Sequence, residues 1–267
     1  MKHGSDYAKR IRRLYHELVK KHGKPVPAEP SEPIDQMLIG ILALDSSLFK
    51  AQAVYKKLRQ QTVDLNELRV TPAIELAQMI GDGVPLAELK ARRIVDALNA
   101  VRRRQDSLDL GFLRLRGRRE AREYLESLHG VGPVVAAYVV LLSLGGHAIP
   151  VDNLTLYVLR KESLVDGRAD AAAVQGFLER CIAASEAGDF TQLMNRHVSA
   201  YASRVDLQKL SALLTPSPPP APQPKVESAP APAEAKAAPK DKGKTDAKAK
   251  GPSGKAARPA VGAHKRK

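Results

Sequence analysis

A turn with two closely spaced glycines is the part of the sequence best suited to hold an anion. It consists of Leu128, His129, Gly130, Val131 and Gly132. The two glycines allow positive φ and a close approach of the backbone to another molecule. Pro133 then presets φ for a helix whose first N–H groups and positive dipole end favour a phosphate, so the turn could grip DNA without a charged side chain. The alternative is a sharp turn between two helices that binds no ligand.

A single carboxylate, Asp152, follows this turn by about twenty residues and precedes an apolar helical pattern. An aspartate in this position caps a helix, because its side chain accepts N–H bonds from the first turn. The same bonds and the helix dipole favour the ionised form. An ionised carboxylate beside an apolar loop can stabilise a developing cation, such as the sugar oxocarbenium ion of N-glycosidic cleavage. From the spacing alone, a purely structural cap is the simpler interpretation.

Helices must position the turn and the carboxylate, because apolar residues recur at helical spacing through most of the chain. The first segment, with Ile11, Leu14 and Leu18 on one face, shows the pattern. Helices are expected at about residues 7–21, 34–44, 52–60, 72–80, 86–103, 119–128 and 134–144, from 152 onward, and at least twice between 171 and 214. We find no internal repeat and no convincing strand pattern, and therefore predict an all-α fold.

The composition changes sharply near residue 215. From there to residue 267 the chain is mainly Pro, Ala and Lys and has almost nothing to bury, so we predict a disordered tail. The whole chain carries a formal net charge of +14. The tail holds about twelve Lys and Arg against about four Asp and Glu. Such a basic arm either keeps the protein in solution or tethers it to DNA through phosphate contacts.

Cysteine content and hydropathy exclude several classes of protein. Cys181 is the only cysteine, so an intramolecular disulfide and a cysteine-ligated cluster are excluded. His147 and His197 lack the spacing of metal ligands, so we expect no metal site. No stretch reaches the roughly 18 apolar residues of a membrane span, and the N-terminus lacks a secretory signal. We therefore expect a soluble intracellular protein without a membrane partner.

Three arginine clusters could line a DNA-binding face, although charge runs of this kind are equally typical of solvated surface. They comprise Arg92 and Arg93, then Arg102, Arg103 and Arg104, and finally Arg114, Arg116, Arg118 and Arg119. His129 in the glycine turn could reach a phosphate or a sugar, or could serve only as a turn residue.

The segment from Leu128 to Lys161 resembles the hairpin-plus-aspartate signature of the endonuclease III superfamily of helix-hairpin-helix (HhH-GPD) DNA glycosylases. In that family L-P-G-V-G-x-K-T-A is followed by an apolar helix and V-D-T-H-x-x-R-V. The resemblance extends more loosely over residues 33–201, where it includes LKARRIVDALNAV and NRHVSAY.

The resemblance implies a two-lobed all-α fold. Residues 32–145 would form a six-helix barrel, and residues 146–214 a second lobe that carries the catalytic aspartate. The helix within residues 1–31 would pack on that second lobe, and residues 215–267 would form the tail. The implied protein is a monomer that lies in the cytoplasm with the nucleoid and binds double-stranded DNA containing a lesion.

The resemblance also implies a reaction. The turn from Leu128 to Gly132 would hold the DNA backbone while a damaged or mispaired nucleotide is flipped into a pocket between the lobes. Asp152 matches the catalytic aspartate, which assists water in cleaving the N-glycosidic bond. Asp45, Val134 and Tyr138 would line the base pocket, although a tyrosine such as Tyr138 more commonly packs in a core.

Three departures from the family pattern bear on this reaction. Val134 replaces the lysine of bifunctional members, and valine has no amine for the sugar-nicking lyase step, so we expect a monofunctional glycosylase. The four cysteines that ligate an iron–sulfur cluster in many members are missing, so we expect no cofactor. The polar S-A-Q-A-T-D stretch corresponds to residues 43–48, where Asp45 would bring negative charge near DNA. It would either read the donor edge of a base or be a plain helix-end aspartate.

Two alternatives to a glycosylase are open at this stage. The altered positions Val134 and Asp45 would suit a non-catalytic relative that binds damaged or bent DNA. A chromosome-associated protein whose tail carries most of the affinity is the third interpretation.

Overall fold

A computed structural model of the chain describes residues 4–26, 30–207 and 209. Within these residues it contains α-helices and three short 3-10 helices but no strand, which confirms the predicted all-α fold. The helices are α1 Gly4–His22, α2 Pro33–Ala43, α3 Leu48–Gln61, α4 Leu65–Val70, α5 Ala73–Ile80, α6 Ala87–Gln105, α7 Arg118–Glu126, α8 Pro133–Leu142, α9 Asn153–Lys161, α10 Ala171–Cys181 and α11 Ala187–Ser199. The predicted tail, residues 215–267, lies outside the described residues.

Short polar side chains begin several of these helices. Ser47, Asp64 and Asp170 each accept a backbone N–H bond from the first turn of α3, α4 and α10. Such caps satisfy donors that the helix itself leaves unpaired. The cap at Ser47 explains why α3 begins at Leu48, earlier than its apolar pattern indicates.

Buried side chains form two clusters. The larger one is built from α2 to α8 and extends along the chain from Ile34 to Ala148. Helix α2 lies at its centre, since ten of its eleven residues are buried and it contacts α3, α6 and α8. The smaller cluster begins at Ile149 and contains α9, α10 and α11 together with α1. The chain therefore builds two apolar cores that meet near residue 148.

Helix α1 belongs to the second core although it is first in sequence. Ile11, Tyr15 and Leu18 are buried there, and Tyr15 packs edge to face on Phe190 with ring centroids 5.7 Å apart. Arg12 Nη1 lies 2.9 Å from Glu186 Oε2, which adds an ion pair at the edge of this contact. The domain boundaries at residues 31, 145 and 214 stay predictions.

No described helix combines the length and the apolar character required to cross a membrane.

The contact between α1 and α11 can be tested with two phenylalanines. Phe190 is fully buried, whereas Phe49 is 81% exposed. We expect Phe190→Ala to lower the free energy of unfolding by about 3–5 kcal/mol, because it removes buried apolar area and leaves a cavity. Phe49→Ala should change it by less than about 0.5 kcal/mol. Urea unfolding followed by circular dichroism measures both, and equal effects would contradict the placement of α1.

Candidate active site

The glycine turn joins α7 to α8 and rests on α6. Gly130 has φ +84°, a conformation that side chains rarely adopt. A Cβ placed on it would lie 2.5 Å from the carbonyl oxygen of Arg93 and 3.1 Å from Cβ of Asp96. Gly130 is therefore required both by its backbone angle and by its close contact with α6.

The other side of the turn is open. Leu128 and Val131 are buried and anchor the turn in the first core. His129 is exposed, and Gly132 is partly exposed with open space where a Cβ would lie. No side chain caps the N-terminus of α8, which begins at Pro133. The first N–H groups of α8 and its positive dipole end thus fit an anion at this surface. The assignment of Leu128, His129, Gly130, Val131 and Gly132 to DNA binding stays a prediction.

His129 is not isolated on this surface. Its Nδ1 lies 3.4 Å from Asp96 Oδ2, so a protonated imidazole would form an ion pair with α6. A phosphate at the turn would therefore compete with Asp96 for His129.

Asp152 caps α9, as its position in the sequence indicates. One carboxylate oxygen accepts a bond of 2.8 Å from the N–H of Thr155, and the other accepts a bond of 2.8 Å from the N–H of Asp45. The residue is only 6% exposed. The two backbone N–H donors fix the orientation of this carboxylate.

Asp45 in turn accepts hydrogen bonds from the start of α9. One of its oxygens accepts a bond of 2.9 Å from the N–H of Leu154, and the other accepts from Nδ2 of Asn153 at 3.3 Å. Its φ of +51° is unfavourable for a residue with a side chain, and the surrounding bonds hold it there. Two buried aspartates thus each bind the backbone next to the other, which joins the turn after α2 to the start of α9.

A buried lysine interacts electrostatically with the two carboxylates. Lys90 on α6 is 2% exposed, and its Nζ donates a bond of 2.9 Å to the carbonyl oxygen of Leu42. Burial lowers the pKa of Lys90 to about 7, and the charges of Asp45 and Asp152 oppose that shift. Burial raises the pKa of Asp45 to about 6, with a further contribution from the charge of Asp152. The charges of Asp45, Asp152 and Lys90 therefore influence one another.

Lys90 lies within the LKARRIVDALNAV segment, and its place in the helical pattern is the signal that could have identified it. Lys90 lies four residues before buried Ile94 and next to buried Ala91, on the apolar face of α6. A lysine on such a face is rarely fully buried unless it has a partner. Lys90 is also one helical turn before Arg93, which contacts Gly130, so α6 supports both the glycine turn and the carboxylates.

The remaining base-pocket candidates lie along α8. Val134 is half-buried against the first core. Tyr138 is fully buried, its hydroxyl hydrogen-bonds the Asn195 side chain, and burial raises its pKa. Asn195 on α11 also accepts from the N–H of Leu48 at 2.7 Å and donates to the carbonyl oxygen of Ser46 at 2.9 Å. Asn195 therefore links the two cores directly beside the Asp45 turn.

An open cavity of about 630 Å³ has Asn195 in its wall. Its walls come from both cores: the end of α1 and the residues after it, α2, the start of α3, the end of α8, and α11. Asp45, Val134, Tyr138 and Asp152 do not line it. Their assignment to a base pocket and to catalysis stays a prediction, and the link to the cavity runs through Ser46 and Asn195.

Four of the nine arginines in the clusters pair with acidic side chains. Arg102 lies 3.2 Å from Asp106, Arg119 lies 2.8 Å from Glu123, and Arg116 pairs with Glu120. Arg114 lies 2.8 Å from Glu32. Exposed pairs of this kind contribute little to stability, and they reduce the positive charge available to phosphates. The structure thus favours solvated surface for these four arginines.

The described residues contain no group of three or more His, Cys, Asp or Glu side chains that could hold a metal ion.

Comparison with known proteins gives the fold. No protein-family profile matches the sequence, and no curated protein is significantly similar to it. Solved structures do match. An endonuclease III trapped as a covalent intermediate with DNA is 22% identical, with a TM-score of 0.55 over 70% of this chain and 84% of that one. The chain has the fold of the HhH-GPD DNA glycosylases.

Two further glycosylases share this HhH-GPD fold. The 8-oxoguanine glycosylase/lyase of Clostridium acetobutylicum, in complex with double-stranded DNA, is 16% identical, with a TM-score of 0.55 over 75% of this chain and 71% of that one. A thermostable thymine-DNA glycosylase is 18% identical, with a TM-score of 0.51 over 73% of this chain and 87% of that one.

The same substitution at the two glycines of the glycine turn should change the stability of the protein by different amounts. We expect Gly130→Ala to lower the free energy of unfolding by about 1–3 kcal/mol, because it combines positive φ with a clash against α6. Gly132→Ala places its methyl group in open space at φ −102° and should cost less than about 0.5 kcal/mol. Chemical unfolding of the two variants provides the comparison, and similar losses would argue against this packing.

Because the pKa of Asp45 is raised, the stability of the folded protein should depend on pH. The folded protein binds the proton of the Asp45 carboxyl more tightly than the unfolded chain does. The contribution of this proton to the free energy of unfolding is therefore full below about pH 4 and is lost as the pH rises through about 6. Asp45→Asn removes the titration and keeps an oxygen that can accept from Leu154. Between about pH 4 and 7 we expect the variant to gain stability relative to wild type by on the order of 2 kcal/mol.

Unfolding in urea at several pH values measures this difference, with the exposed Asp82→Asn as the matched control. A difference between Asp45→Asn and wild type that stays constant with pH would show that Asp45 is not buried beside a like charge.

Proposed function

We propose that the chain is a monofunctional DNA N-glycosylase of base-excision repair. The observation that carries the proposal is the carboxylate of Asp152, fixed at the N-terminus of α9 by two backbone N–H bonds on a glycosylase fold. The uncapped N-terminus of α8 supports it, because that end of the helix suits a DNA phosphate. Double-stranded DNA with a damaged or mispaired base is the proposed partner.

Asp152 would act on the sugar of a flipped nucleotide. As the base leaves, positive charge develops on the sugar ring, and an oriented carboxylate stabilises that charge without reorganising. The same carboxylate can accept a hydrogen bond from the water that attacks C1′. Asp45 adds negative charge beside Asp152 once the pH exceeds the pKa of about 6 of Asp45. Base release should therefore be faster above that pH.

The site offers no amine for a lyase reaction. The position of the family's lysine is Val134, whose side chain cannot form a Schiff base. The amine of Lys90 is inaccessible to a sugar, because it is buried and donates to the carbonyl oxygen of Leu42. We therefore propose base removal by water alone, and because the chain has a single cysteine we propose no iron–sulfur cluster.

A second candidate function is recognition of damaged or bent DNA without catalysis. One observation favours it: Asp152 is almost fully buried, and each of its oxygens already accepts a backbone N–H bond. Such a carboxylate would require the Asp45 turn to move before a sugar could reach it. This candidate keeps the glycine turn as the DNA contact and leaves Asp152 as a structural cap.

Strand cleavage with and without alkali separates these functions. The full chain is incubated with duplexes that each carry one defined lesion, and half of each sample is then heated in alkali. We expect breaks only after alkali, and a loss of about 100-fold or more in Asp152→Asn. That variant keeps one oxygen to cap α9 but turns its amide NH2 toward the N–H of Asp45, so we expect it to lose about 1–3 kcal/mol of stability, and circular dichroism must show that it is folded at the assay temperature. Intact DNA for every lesion, with lesion binding retained, would favour the second candidate.

The proposed absence of lyase activity can be tested by introducing the missing lysine. We expect Val134→Lys to place an amine where the family has one and to yield a covalent DNA adduct on reduction with borohydride. Wild type should yield none. A borohydride-trapped adduct in the wild-type protein would contradict the monofunctional mechanism.

A further inference from the structure

A basic groove between α1 and α10 has no part in the proposed reaction. It is open to solvent and has a volume of about 700 Å³. Of the described residues that line it, five are cationic: Lys9, Arg12, Arg13 and Lys20 of α1 and Arg180 of α10. Glu17 is the one acidic residue among them. This α1–α10 groove therefore carries an excess of positive charge.

Helical spacing places the basic residues of α1 in one line. The line consists of Lys9, Arg13, His16 and Lys20, and all four are exposed. Their intervals of four, three and four residues keep them on one face of the helix. The opposite face of α1 is buried in the second core. From Lys9 to Lys20 the line extends about 16 Å, at a rise of about 1.5 Å per residue.

Most of this positive charge is not neutralised by the protein itself. Arg12 pairs with Glu186 at 2.9 Å. Arg13 lies 3.4 Å from Glu17, but both side chains are largely exposed, so this pair is weak. The remaining three cations form no ion pair among the described residues: Lys9, Lys20 and Arg180. Repulsion among like charges is unfavourable in the free protein, and a bound anion would relieve it.

The other residues of the wall favour one kind of anion. Besides the charged side chains, the wall contains Ala8, His16 and Cys181. None of the described residues that line the groove is a phenylalanine, a tyrosine or a large aliphatic residue. Protein partners depend on such residues as buried anchors, and single-stranded nucleic acids stack their bases on aromatic rings. The backbone of duplex DNA requires only cations and hydrogen-bond donors.

We propose that the α1–α10 groove is a second DNA-binding surface, which holds the phosphate backbone of a double helix. One strand of a duplex carries a phosphate about every 3.4 Å along the axis, so a length of about 16 Å corresponds to about five phosphates. The lysines and arginines donate charge-assisted hydrogen bonds to these phosphates, and His16 donates another. This surface requires neither a lesion nor the flipped nucleotide of the proposed function.

Removing two charges from the groove tests this surface through the salt dependence of binding. The groove variant carries Lys9→Gln and Arg180→Gln, and the control variant carries Lys56→Gln and Arg59→Gln. Lys56 and Arg59 are exposed on α3, outside the groove, so the two variants lose the same charge. Binding of the full chain to an undamaged duplex of about 30 base pairs is measured at several NaCl concentrations.

We expect the slope of log K against log [NaCl] to become shallower by about 2 in the groove variant, because each lost phosphate contact removes about 0.9. At about 0.1 M salt, its binding should be weaker than that of wild type by about tenfold or more. The control variant should retain the slope of wild type. Circular dichroism confirms that each protein is folded.

Cys181 provides a local probe of the same groove. It lies in the groove wall, is partly exposed and is the chain's only cysteine. Burial raises the pKa of its thiol, so alkylation by iodoacetamide is followed at about pH 9. At DNA concentrations that saturate each protein, the duplex should slow alkylation by about tenfold or more in wild type and in the control variant. In the groove variant the duplex should have little effect.

Three outcomes would overturn the inference. Equal losses of affinity in the two variants would show a response to net charge alone. An alkylation rate of Cys181 in wild type that DNA does not change would place the DNA elsewhere. A groove variant that loses affinity for polyglutamate but not for DNA would assign the groove to an acidic protein. Because both assays use undamaged DNA and no base release, their result is independent of the test for glycosylase activity.

Discussion

The reciprocal bonds between Asp45 and the start of α9 are the constraint on which the site depends. Asp152 accepts the N–H of Asp45, and Asp45 accepts the N–H of Leu154, so each aspartate fixes the backbone that carries the other. The two residues belong to different apolar cores, which meet near residue 148. Two buried carboxylates side by side are unfavourable by themselves, because like charges in a poorly solvated region repel. The backbone donors and buried Lys90 offset that repulsion.

This arrangement explains why one helix supports both halves of the site. Helix α6 carries Arg93, against whose carbonyl oxygen Gly130 packs, and Lys90, whose charge faces the carboxylates. These residues are one helical turn apart. A phosphate held at the glycine turn and a sugar held near Asp152 would therefore be positioned relative to the same rigid element. Side-chain positioning on helices is more precise than on loops, which matters because small displacements have large effects on rate.

Features encoded by local sequence could be predicted, and those that join distant segments could not. The helical spacing, the turn around Gly130 and Gly132, and the cap at Asp152 are local, and the structure contains each of them. Helix α4, only six residues long, gave too short a pattern to recognise. Asp45 was expected either to read a base or to end a helix, and its bond to Leu154, 109 positions away, has no signature in the sequence. The residues that line the cavity could not be named from the sequence for the same reason, since its walls come from five helices.

The charge at this site matches the demand of N-glycosidic cleavage at the sugar. The sugar becomes a cation as the base departs, and in the proposed complex the carboxylates of Asp152 and Asp45 would lie beside it. Carboxylates that are fixed before the reaction stabilise this cation mainly in the transition state, because the positive charge does not exist in the bound substrate. The same bonds that orient Asp152 also cap α9 and join the two cores, so one set of contacts would serve both folding and catalysis.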